Sequence, residues 1–149
     1  MWDETATARV TRMASLVGRQ DVRPRIFVAE DDPDMCALVA DTLRRDGYDV
    51  TEVPDGGELL DRMGRQDRGD EPMDLLVSDV RMPVVTGLAI LRALREAHST
   101  VPVVLMSAFA DAATRSEAES LDAVLLDKPL HPSVLRAEVR RLLAEHDAR

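Results

Sequence analysis

Four stretches of the chain run from an apolar segment into residues able to do chemistry. RIFVAE (25–30) leads into Glu30, Asp31 and Asp32, and DLLVSD (74–79) ends in Ser78 and Asp79. PVVLMSA (102–108) ends in Ser107 and Ala108, and AVLLDK (123–128) ends in Asp127 and Lys128. Among the 19 Lys and Arg residues, Lys128 is the only lysine. An ammonium is a compact point charge on a flexible stem and reaches into a crowded pocket, where the broad fork of arginine needs more room. Carboxylates crowded together raise one another's pKa and need a cation to neutralise them. Oxygen donors without His or Cys suit Mg²⁺, which keeps several waters and takes few protein ligands. A divalent cation, a hydroxyl and an ammonium converging on one aspartate can bind a phosphoryl group. That aspartate can then serve as nucleophile and become an aspartyl phosphate.

Each feature has a plainer reading. Asp follows strands because it caps the next helix, and Asp32 could cap one beginning at Pro33. Lys-Pro is a plausible turn. Their joint occurrence at four strand ends is what carries the functional reading, and it requires a fold that brings those ends together.

The periodicity supplies one. Strand-like runs at 25–30, 48–53, 74–79, 102–108 and 123–128 alternate with helical patterns at 32–47, 55–64, 87–98, 111–121 and 131–146. In the first helix Met35, Leu38, Val39 and Leu43 form the apolar face, with Cys36 at its edge as core filler and Gly47 as the stop. In the third, Ile90, Leu91, Leu94 and Ala97 form the stripe, and Arg92, Arg95 and Glu96 face outward. Residues 65–72 read as a polar loop. Strands one, three, four and five are nearly continuous apolar runs, as buried parallel strands are, and strand two reads as an edge. The layout is α/β, a doubly wound five-stranded parallel sheet of flavodoxin-like order 2-1-3-4-5 with five helices, in which ligands bind at the carboxyl ends of the strands.

Composition narrows the function class. A chain of 149 residues with 45% hydrophobic and 32% charged residues is an ordinary globular balance. The net charge of −9 argues against direct nucleic-acid binding. No apolar run approaches the roughly 20 residues of a membrane span, and MWDETATARV lacks the apolar core of a secretory signal. One cysteine cannot form an internal disulfide, which agrees with a cytoplasmic location. Residues 1–24 read as a flexible N-terminal extension before a domain at 25–149. A short amphipathic helix through Val10, Met13, Ala14 and Val17 is the alternative. His98, His131 and His146 lack metal spacing and are given no role.

EDDP (30–33), SDVRMPVVTG (78–87), VVLMSA (103–108) and DKP (127–129) together resemble the receiver domain of bacterial two-component response regulators, of the stand-alone type. The Asp-x-x-Met-Pro-x-x-x-Gly spacing of the middle block is distinctive. The resemblance implies Asp79 as phosphoacceptor, with Ser107 and Lys128 binding the phosphoryl group. It implies Mg²⁺ as cofactor, held by Glu30, Asp31, Asp79 and the backbone carbonyl of Arg81, with Asp31 the more direct carboxylate and Asp32 outside the shell. The implied donor is a histidine kinase or histidine phosphotransfer protein, and the implied role is a signalling switch or phosphorelay carrier. Its only catalysis would be its own phosphorylation and dephosphorylation. A downstream protein target and a homodimer through helix four, strand five and helix five are further expectations by analogy. Two departures stand out. Before strand five, where the family usually has a small Gly-Ala pair, the chain has Leu121 and Asp122. Three residues before Lys128, where the family usually has Tyr or Phe, the chain has Leu125, which has no ring to rotate. Two other readings remain at this stage. One is a receiver-like interaction module that works without phosphorylation. The other is a hydrolase with an aspartyl nucleophile, although Arg81 stands where such enzymes often place a second Asp.

Overall fold

The computed structural model describes residues 23–67 and 72–148, the side chains of 65–67 excepted. The expected N-terminal extension therefore lies almost wholly outside the described residues. Strands β1 (Arg25–Ala29), β2 (Asp49–Val53), β3 (Leu75–Asp79), β4 (Val103–Ser107) and β5 (Val124–Asp127) alternate with five helices. These are α1 (Pro33–Arg45), α2 (Gly56–Asp67), α3 (Gly87–Glu96), α4 (Ala112–Ser120) and α5 (Pro132–Asp147). The strands form one parallel sheet in the order β2-β1-β3-β4-β5, as the periodicity predicts.

Because successive strand residues point to opposite faces, each strand feeds two apolar layers. Phe27, Ala29, Leu76, Val103 and Leu105 face Leu59 of α2, Ile90, Leu91 and Leu94 of α3, and Ala118 of α4. Ile26, Val28, Leu75, Val77, Val104 and Met106 face Cys36, Val39, Ala40 and Leu43 of α1 and Leu135 and Val139 of α5. All of β3 and β4 is buried. No helix among the described residues is long and apolar enough to cross a membrane.

Side-chain caps start four of the five helices. Asp32 accepts from the Asp34 N–H, Asp55 from Glu58, Thr86 from Ala89 and Asp111 from Thr114. Each satisfies an amide that the first turn leaves without a partner. Gly47, at φ 93, ends α1 in the left-handed region and donates its N–H to the Arg44 carbonyl.

Five details differ from the sequence reading. Helix α2 continues to Asp67, so the expected loop begins later. Leu38 is 49% exposed, because the helix turns Cys36, Val39, Ala40 and Leu43 to the sheet instead. Ala97 is the exposed C-cap of α3 rather than part of its stripe. Arg95 turns inward, where its guanidinium donates to the carbonyls of Ser99, Val101 and Leu121. Strand β5 is only half-buried, since the strand order leaves it at an edge.

Candidate functional site

The carboxyl ends of β1, β3, β4 and β5 meet at one end of the sheet. Glu30 follows β1 directly, and its N–H donates to the Val53 carbonyl of β2, so the chain has not yet left the sheet there. Glu30 is 2% exposed and Asp79, the last residue of β3, is 8% exposed. Asp31 is exposed beside them. Oxygens of Glu30, Asp31 and Asp79 all lie within 4.8 Å of one another.

Lys128, one residue past β5, reaches across this end of the sheet. Its Nζ donates to Glu30 Oε1 at 3.0 Å and to Asp79 Oδ2 at 3.0 Å. The backbone N–H of Arg81 donates to Asp79 Oδ1 at 3.2 Å, while the Arg81 side chain is exposed. The two Asp79 oxygens thus have different partners, an ammonium and an amide. Ser107 is buried at the end of β4, and its carbonyl accepts from the Lys128 N–H at 2.8 Å. Ser107 thus ends the strand that pairs with β3, one residue past the register partner of Asp79.

Glu30 Oε2 is buried with no hydrogen-bond partner. A buried carboxylate oxygen left unpaired carries a desolvation cost, and that cost shows in its titration. Burial first, then the adjacent Asp79 carboxylate, push the Glu30 carboxyl up from 4.5 to about 7, with Lys128 opposing. Burial pulls the Lys128 ammonium down, but the hydrogen bonds and charges of Asp79 and Glu30 outweigh it and hold the group above its ordinary value. The arrangement fits a divalent cation: three carboxylates, one exposed edge at Asp31, and a buried oxygen facing no partner.

The loop after β3 is shaped by close approach. A Cβ on Gly87 would lie 2.1 Å from the Asp79 carbonyl oxygen and 2.8 Å from Ser78 Oγ. Only glycine lets α3 begin this near the aspartate, and the Gly87 N–H closes the loop onto the Val80 carbonyl. Ser78 Oγ donates to the Asp79 carbonyl at 3.0 Å. Sequence reasoning named Ser78 at the strand end and placed Gly87 in its motif, but it gave neither contact. The clue lay in the spacing: a glycine eight residues past an aspartate at the start of a helical stripe.

The structure thus brings Glu30, Asp31, Asp79 and Lys128 together, sets Ser107 on the adjoining strand, and turns Arg81's backbone to Asp79. Asp32 is the cap of α1, at one remove from the cluster. Cys36 is buried where α1 meets the sheet, and burial and the nearby Glu52 push its thiol up to about 11, away from the thiolate form.

Comparisons with known proteins agree with this geometry. Residues 26–140 match the family model described as the response regulator receiver domain. The chain is 31% identical over 120 residues to the response regulator receiver protein CpdR of Brucella abortus, covering 80% of this chain and 96% of that protein. It is 35% identical over 135 residues to the sensor histidine kinase TmoS of Ectopseudomonas mendocina, covering 88% of this chain but only 13% of TmoS. Among solved structures, the receiver domain of the Francisella response regulator 1452 superposes with a TM-score of 0.74 at 26% identity, covering 83% of this chain and 99% of that one. With the sheet order, the acidic cluster and the spanning lysine in place, the chain belongs to the response regulator receiver domain family.

Proposed function

We propose that this chain accepts a phosphoryl group on Asp79, in the presence of Mg²⁺, from the phosphohistidine of a histidine kinase or histidine phosphotransfer protein. It then signals by a conformational change or passes the group on. The observation that carries the reading is the Asp79 carboxylate, buried between the Lys128 ammonium and the Arg81 N–H beside an unpaired Glu30 oxygen.

The chemistry follows from that placement. An Asp79 carboxylate oxygen attacks phosphorus, the new O–P bond forms, and the P–N bond to the donor imidazole breaks. The imidazole leaves with its electron pair and takes up a proton. Lys128, already within 3.0 Å of Asp79 Oδ2, pairs with a phosphoryl oxygen, and the Ser107 hydroxyl on the adjoining strand donates to another. The Arg81 N–H keeps the carboxylate oriented for in-line attack. Glu30, Asp31, Asp79 and the Arg81 carbonyl would hold the cation, whose charge offsets that of the phosphoryl oxygens. Hydrolysis later returns Asp79 to a carboxylate and releases inorganic phosphate, so the protein's catalysis acts on itself.

The test uses acetyl phosphate, which needs no protein donor. Intact-mass spectra of the full chain with Mg²⁺ should show the gain of one phosphoryl group. The gain should vanish with excess chelator and in Asp79→Asn. A chain that never gains the group, or an Asp79→Asn variant that gains it equally, overturns the proposal.

A further inference from the structure

Helix α4 is attached to the rest of the fold mainly through polar groups. Of its nine residues only Ala118 is buried. Three arginines hold it in place. Arg92 of α3 donates through two nitrogens to the Glu117 carboxylate, at 2.7 Å each. Arg95 of α3 donates to the Leu121 carbonyl at the end of α4. Arg115, on α4 itself, pairs with Asp127 at the end of β5.

The third link is the informative one. Asp127 and Lys128 are adjacent, and their side chains serve different partners. Lys128 holds Glu30 and Asp79, while Asp127 holds α4. The two share a peptide unit, and the Lys128 N–H is fastened to the Ser107 carbonyl of β4. A displacement of Lys128 that moves this backbone is therefore felt at Asp127. A phosphoryl group on Asp79 carries about −1.5 to −2 charges in place of the carboxylate's single one and sets its oxygens further out, so the Lys128 ammonium is the group most directly pulled. The Arg115 and Asp127 side chains are 47% and 60% exposed. An ion pair so open to water is weak and sensitive to small shifts in geometry.

We propose that the Arg115–Asp127 pair is a latch that holds α4 on β5 in the unmodified protein and is loosened when Lys128 turns to a phosphorylated Asp79. It rests on the phosphoacceptor reading for its trigger, though not for its existence. It supplies a readout at α4 that does not need a ring at Leu125, whose side chain, like those of Leu121 and Ala123, packs against the core layer that holds Ala118.

Hydrogen–deuterium exchange of the full chain tests it, with phosphoryl occupancy read by intact mass on the same samples. The amides of residues 112–120 should exchange roughly two- to fivefold faster in Arg115→Gln and Asp127→Asn than in the wild type, with β1 and β3 unchanged. The double variant should add little to either single change. The charge-swapped pair Arg115→Asp with Asp127→Arg should recover protection. Wild-type protein with acetyl phosphate and Mg²⁺ should show the same acceleration. Unaltered α4 exchange in both single variants overturns the latch. Full occupancy with no acceleration overturns the coupling. Failure to gain the phosphoryl group at all overturns the phosphoacceptor reading and the trigger, while the two variants still decide whether the latch exists.

Discussion

The centre of the sheet and its β5 edge are built by different forces. Strands β1, β3 and β4 are covered on both faces, and Leu105 in β4 is fully buried. Its register partner in β5, Leu125, is only half-covered, and the helix beside it is held mainly by ion pairs and carbonyl contacts. The site straddles the two. Glu30 and Asp79 stand on the packed centre, and Lys128 stands on the edge. Apolar packing resists displacement by a neighbouring charge, whereas exposed polar links do not. A charge added at Asp79 thus meets a rigid wall on the Glu30 side and a yielding one on the Lys128 side.

The sharpest way to break this contrast is to truncate the paired leucines. Leu105→Ala should cost about 2–5 kcal/mol of unfolding free energy. Leu125→Ala should cost less than about 2 kcal/mol, because less area leaves water there. Denaturant unfolding checks both, and equal losses would contradict the difference between centre and edge.

The next effect concerns the lysine that joins the two regions. Lys128→Met should fold, yet accept phosphoryl groups from acetyl phosphate about 100-fold more slowly, as loss of a preorganised donor does. Lys128→Arg should also fold and label poorly, because the guanidinium is too broad for a site that must serve both Glu30 and Asp79. Normal labelling of either variant would separate the edge from the chemistry.

A third test is pH. The folded Glu30 carboxyl lies at about 7 against an ordinary 4.5. The folded state therefore binds this proton more tightly than the unfolded chain does. Relative to Glu30→Gln, the metal-free wild type should lose stability as pH rises from about 4.5 to about 7, then level off. Saturating Mg²⁺ should offset that loss by binding the ionised cluster. Thermal melts of both proteins with and without Mg²⁺ decide it, and a gap that moves the other way refutes the burial of an unpartnered oxygen.

The smallest effect lies between α1 and α5. Arg136 donates to both oxygens of Asp46, which holds that carboxyl below its ordinary 3.8. Its contribution is present above that value and is lost as pH falls through the lowered one. Arg136→Ala should lower the melting temperature slightly at neutral pH, and the difference should close in acid. A gap that persists there would mean that Arg136 acts through packing instead.

What could be read from the chain alone follows the same divide. The central strands declare themselves as unbroken apolar runs, and the acidic and basic residues at their ends declare the site. Asp32 also read correctly as a cap. Polar attachments were harder to see. Nothing in the spacing of Arg95 told that it would turn inward to carbonyls, since an arginine beside an apolar stripe usually faces water. Arg115 and Asp127 are twelve residues apart and meet only because a helix doubles back on an edge strand. Leu38 fitted a helical stripe, but Cys36 and Ala40 lay closer to its centre, and small residues bring α1 near the sheet. Hydrophobic periodicity records burial, and it is silent where arginines and backbone carbonyls do the holding.

The identity of the acceptor is the claim on which the rest depends. Sodium borohydride reduces an aspartyl phosphate to homoserine and so marks the modified residue permanently. After treatment with acetyl phosphate and Mg²⁺, reduction and peptide sequencing by mass spectrometry should find homoserine at position 79 and at no other aspartate. Homoserine elsewhere, or none despite a phosphoryl gain in the intact mass, would contradict Asp79 as the residue at which this protein receives its signal.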